Sequence, residues 1–126
     1  MNSQTKSPAT RLKFARLTQE RRRIEKHTLR IGPMTMGSLI EHYKKCGKPT
    51  CSCTTGKLHG PYWYLAYKKD GKSVLQYVAS EELARGKKLA ANYKQFQSNL
   101  SQIRKLNSEI LHLLGQIRAA RLREGR

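Results

Sequence analysis

The spacing of apolar residues divides the chain into three stretches of different period. In the first, Leu12, Leu17 and Ile24 recur at helical intervals but give only a thin apolar face. Residues 10–31 therefore predict a basic helix, with Thr10 placed to cap it and Gly32-Pro33 to break it. Residues 1–9 are polar and predict a disordered tail.

Between 32 and 79 the period falls towards two. Met34–Tyr43 predicts a first strand, Tyr62–Tyr67 (YWYLAY) a second and Ser73–Val78 (SVLQYV) a third. Asp70-Gly71 between the last two is a hairpin signal, since both central residues of a type I′ turn need positive φ. Alternation sets Tyr62, Tyr64 and Ala66 on one face and Trp63, Leu65 and Tyr67 on the other. One face is expected to pack on a helix, leaving the other for contacts.

From Ser80 to the end the chain predicts a single long helix, opened by Ser80 as cap and by Glu81 and Glu82 against the helix dipole. Its apolar residues step by three and four. Tyr93, Leu100, Asn107 and Leu114 form one line, and Phe96, Ile103, Ile110 and Ile117 the other. A lone Asn in such a seam favours a defined two-stranded register, so these eight positions predict a coiled coil between two copies, a homodimer. The competing reading is a stripe packed on the chain's own sheet or N-terminal helix. The predicted fold is α+β: a small three-stranded antiparallel sheet with a Cys-rich metal loop, flanked by a basic helix and a long helix.

Composition adds the direction of function. The 126 residues carry 26 Lys and Arg against 8 Asp and Glu, a formal charge of +18, with mean hydropathy −0.73. The excess is spread: nine bases against two acids over residues 1–30, seven against two over 31–79, and ten against four over 80–126. A chain basic throughout points to a polyanion, with nucleic acid ahead of membrane because no helix pairs a basic face with an aromatic one. Arg21, Arg22, Arg23, Lys44, Lys45, Lys48, Lys57, Lys68, Lys69 and Lys72 are the expected phosphate contacts. A generic solubilising surface is the plainer alternative. With no signal peptide and no long apolar run, a cytoplasmic, nucleoid-associated protein is expected, with no membrane contact.

The sharpest chemistry lies in Cys46-Gly-Lys-Pro-Thr-Cys51-Ser-Cys53, with His59 six residues on. Thiolates and imidazole are zinc's preferred ligands, and a structural site closes with four. Cys46, Cys51, Cys53 and His59 make a Cys3His set whose metal would supply folding energy to a core-poor domain. The spacing is not a common zinc-finger one, His42 is an alternative fourth ligand, and three reduced thiols or a redox role compete with zinc. His27 and His112 are isolated. No Ser-His-Asp set, phosphate-cradling glycine loop or carboxylate pair emerges, so no enzyme is predicted.

Residues Met36 to about Leu114 resemble an uncharacterised family of small basic prokaryotic proteins. The likeness rests on Gly37-Ser38-Leu39-Ile40-Glu41, Cys46-Gly47-Lys48-Pro49 with Cys51 and Cys53, His59-Gly60-Pro61-Tyr62 with Tyr64, and Asn92-Tyr93. Members are often found near transposase and recombinase genes. The resemblance implies a mobile-element accessory role and a joint task for the four Cys and His positions. More loosely, the sheet, hairpin and helix look like the arm-binding domains of tyrosine recombinases, which lay a sheet in the DNA major groove. The leading expectation is a DNA-binding accessory protein of a transposon or recombination system. The alternatives are an RNA-binding module that stacks bases on Tyr62, Trp63, Tyr64 and Tyr67, and a coiled-coil adaptor that recruits a recombinase or transposase.

Overall fold

A computed structural model describes residues 8–45, 47–52 and 56–126. Its elements run α1 (Pro8–Arg30), β1 (Ser38–Lys44), β2 (His59–Lys69), β3 (Lys72–Val78), a 3-10 turn (Ser80–Glu82) and α2 (Leu83–Glu124). The fold is α+β, with one antiparallel sheet of order β1-β2-β3. Gly32–Lys94 forms one compact unit, and the segments up to Ile31 and from Gln95 form a second.

The sheet unit is built on glycine at two close approaches. Gly37 lies at φ 115°, where a Cβ would stand 2.6 Å from the Ala66 carbonyl oxygen. Gly60 lies at φ 139°, where a Cβ would meet the His42 carbonyl oxygen at 2.9 Å. Only glycine brings β1 this near to β2 at both ends of their pairing. Between them Leu39 pairs with Leu65, Ile40 with Tyr64 and Glu41 with Trp63. Asp70 (φ 53°) and Gly71 (φ 78°) make the expected type I′ turn, flanked by the Lys69–Lys72 pair.

Three boundaries differ from expectation. β1 begins at Ser38, not Met34, because the preceding segment docks on α2: Thr35 N–H donates to the Leu89 carbonyl (3.1 Å) and Asn92 Nδ2 to the Pro33 carbonyl (2.8 Å). α1 starts at Pro8, ahead of Thr10, so Thr10 is not its cap and the expected tail loses its last two residues. Residues 1–7 lie outside the described residues. Ser80 does not cap α2. It sits inside the 3-10 turn, whose own cap position is Ala79, and the Ser80 hydroxyl faces Glu81 Oε2 at 3.4 Å.

The pleat divides the sheet as expected. Trp63 and Leu65 face the start of α2: Lys87 Nζ sits 4.7 Å from the centre of the Trp63 ring, and a Cβ on Gly86 would touch Val78 and Leu39. Tyr62 and Tyr64 lie on the opposite face.

The second unit is an antiparallel helical hairpin. Its direction follows from its bonds, since Thr28 meets Asn99 while Arg21, two turns earlier, meets Asn107 further on. Ile24, Ile110, Leu113 and Ala120 are buried along the contact. Burying an Ile or Leu side chain contributes about 1.5–3 kcal/mol, so a short seam can hold two helices together. The buried line is Asn99, Leu113 and Ala120 with half-buried Leu106 between, and it runs beside the predicted Phe96, Ile103, Ile110 and Ile117. The line predicted from Leu100, Asn107 and Leu114 lies one residue to the side, and Leu114 is exposed. Both lines step by three and four, so spacing alone does not choose between them. From Asn99 onward the buried line packs on the chain's own N-terminal helix, the competing reading above.

Polar groups inside the hairpin are matched. Asn99 Nδ2 donates to Thr28 Oγ1 (3.0 Å) and lies 2.9 Å from His27 Nδ1, while its carbonyl oxygen accepts from Gln95 Nε2 (2.8 Å). Among the described residues, every buried side-chain N or O has a partner.

Candidate nucleic-acid interface and cysteine–histidine pair

The basic residues singled out in the sequence fall into three groups. Lys68, Lys69 and Lys72 surround the β2–β3 turn, and all are exposed. Lys44, Lys45, Lys48 and Lys57 lie at and beyond the other end of the sheet, where Lys44 pairs with His59, and they too are exposed. The two groups are separated along β2 by roughly 30 Å, at about 3.3 Å per residue.

The third group, on α1, is mixed. Arg21 turns into the hairpin, donating to Asn107 Oδ1 (2.9 Å) and pairing with Glu25 (3.3 Å). Its charge is already engaged. Arg23 is paired with Glu20 on the surface, and this bond holds the Glu20 carboxyl below its ordinary range and Arg23 above its own. Arg22 is exposed and lines an open groove with Arg16 and Lys26. In the sequence Arg21–Arg23 form one undifferentiated basic run. The helical repeat separates them, one residue facing the seam and the others solvent.

The face of the sheet away from α2 carries a row of rings. Ile40, Tyr64 and Tyr77 are cross-strand neighbours. Tyr64 and Tyr77 meet edge to face with centres 5.8 Å apart, and His42 meets Tyr64 at 6.1 Å. Lys44 Nζ donates to the Tyr64 hydroxyl (2.9 Å) and stands 4.9 Å from the Tyr62 ring centre. That hydrogen bond, with the field of the same hydroxyl, raises the Lys44 pKa. Tyr77 belongs to the predicted third strand but is not among the expected contact residues. Its signal is local: it stands fifth of six in SVLQYV, on the face opposite Val74.

At the loop end, Cys51 Sγ and His59 Nε2 are 3.1 Å apart. β2 fixes His59, and a turn closed by Cys51 N–H to the Lys48 carbonyl (3.1 Å) fixes Cys51. A tetrahedral zinc with bonds of about 2.3 Å to sulfur and 2.0–2.1 Å to nitrogen would set those atoms about 3.5 Å apart, so the pair fits two of four positions with a small adjustment. Cys46 and Cys53 lie outside the described residues. Among the described residues, no three Cys, His, Asp or Glu gather as a metal site. His42, the alternative ligand, is on the ring-bearing face against Tyr64.

No helix among the described residues is long and apolar enough to cross a membrane. A family model described as a domain of unknown function, DUF6788, matches residues 14–88. That span takes in most of α1, which the resemblance drawn from the motifs had left out, and it ends before Asn92-Tyr93, which the resemblance had included. No curated protein and no solved structure matches the chain.

Proposed function

The chain belongs to the DUF6788 family, a domain of unknown function, and on that premise we propose that it is a non-catalytic nucleic-acid-binding protein. The observation that carries the reading is the placement of charge. Seven exposed lysines stand in two groups at opposite ends of one small sheet, within a chain of net charge +18. Separated cation groups on a rigid element suit a linear polyanion, which meets both without bending back. The solvent side of α1 adds Arg22, Arg16 and Lys26.

In the same proposal Cys46, Cys51, Cys53 and His59 hold a structural zinc that braces the loop carrying Lys48 and Lys57. Support for it is the 3.1 Å approach of Cys51 to His59. The working role is accessory to a transposon or recombination system, with DNA as the polymer and a recombinase or transposase as the enzyme served. The gene neighbourhoods implied by the motif resemblance support that role.

The test is recovery of the native protein from cells, with sequencing of whatever is bound. Enrichment of nucleic acid that nuclease treatment removes supports the proposal, and enrichment at element ends supports the accessory role. A protein that comes down free of nucleic acid at physiological salt overturns both.

A further inference from the structure

We propose that the outer face of the sheet is a stacking platform for unpaired bases, so that the preferred ligand is single-stranded nucleic acid. The inference deepens the reading above and rests on it.

Three observations carry it. First, large side chains on this face are open to solvent where a core would hide them: Tyr77 is 57 % exposed, Leu75 63 % and Ile40 38 %. The opposite face, with half-buried Trp63 and Leu65, looks onto the start of α2. Leaving Tyr77, Leu75 and Ile40 open together on one face has a cost in stability that a purely structural sheet would not carry. Second, the rings are held. Tyr64 is fixed by its edge contacts with Tyr77 and His42 and by the Lys44 bond at its hydroxyl. A ring fixed in advance loses little freedom when a base stacks on it. Third, the charge around the rings suits phosphates. No strand position on this face is acidic: Glu41 points to the α2 side, and Asp70 is in the turn. Lys44 stands at one end of the face and Lys68 at the other.

Aromatic faces flanked by cations match a single strand, whose bases stack while its phosphates meet lysines. A duplex hides its base faces and would use only the lysines. A second copy of the chain would bring another +18 to the same surface, which the like charge opposes.

The experiment measures binding of the full chain to labelled single strands, ribo and deoxy, and to the duplex of the same sequence, at one fixed salt. Tyr77→Ala, Tyr77→Leu and Tyr77→Trp are compared with the unsubstituted protein. Tyr77 is exposed enough for replacement to leave the fold intact, and circular dichroism checks this. The expected result is tighter binding to a single strand than to duplex. Tyr77→Ala and Tyr77→Leu then lose at least about fivefold on single strands and change less than about twofold on duplex, whereas Tyr77→Trp retains binding. The tighter of the two single strands identifies the source as RNA or DNA. Equal losses on both forms, no effect of Tyr77→Ala, or equal binding by Tyr77→Leu and Tyr77→Trp overturns the platform and leaves the lysine interface standing. No binding to any form overturns the nucleic-acid reading itself. Sedimentation of the same variants covers the other occupant: a dimer that Tyr77→Ala converts to monomer, with nucleic-acid binding unchanged, also overturns the platform.

Discussion

Gly37 shows how much one position decides. Its φ of 115° is a conformation L side chains rarely adopt, and a Cβ there would stand 2.6 Å from backbone that cannot move without breaking the β1–β2 pairing. Gly37→Ala is expected to cost at least about 2 kcal/mol in urea unfolding, from strain and clash together. Gly71 is the control. It also has positive φ, but nothing lies within 4 Å of its would-be Cβ, so Gly71→Ala should cost only about 1 kcal/mol. Equal costs would show that φ, and not the close approach, is what matters at Gly37. The same scale separates neighbours that sequence treats alike. Arg21 is engaged with Asn107 and Glu25 while Arg22 faces solvent. Arg21→Gln should therefore lower stability and leave nucleic-acid affinity nearly unchanged, and Arg22→Gln should do the reverse.

At the scale of elements, local signals carried furthest. The Asp70-Gly71 turn, the alternation through Tyr62–Tyr67 and the long uninterrupted helix were legible because each depends on a few consecutive residues. What was not legible depends on a partner distant in the chain. β1 starts four residues late because Asn92 and Leu89, more than fifty residues away, take the segment before it. The helical stripe was found, but its facing line was set one residue off, since only the N-terminal helix decides between Asn99 and Leu100. Leu113→Ala is expected to destabilise by about 2–5 kcal/mol, whereas Leu111→Ala, on the exposed side, should stay within about 0.5 kcal/mol. Comparable costs would contradict the hairpin. Of the candidate metal site, the sequence supplied all four residues, and the structure brings two together at 3.1 Å. If zinc braces the loop, chelation lowers the thermal stability of the sheet while helical signal from the hairpin persists. Mass spectrometry of the untagged protein should find one zinc per chain, and a metal-free protein with three titratable thiols would refute the site.

For the whole molecule the central claim is that charge is arranged to meet a polyanion. Its pieces come from different levels: a sheet that holds two lysine groups apart, a loop that carries two of those lysines, and a helix that leaves Arg22 outward while spending Arg21 inward. The most direct test is the salt dependence of affinity for a short DNA of fixed sequence. With about six to ten phosphates neutralised, log K should fall against log salt with a slope of about −5 to −9, a loss of about 10³–10⁵ between 50 and 200 mM. Replacing Lys68, Lys69 and Lys72 together by Gln should flatten the slope by about 2–3. A slope near zero, or one that the triple replacement leaves untouched, would contradict the account.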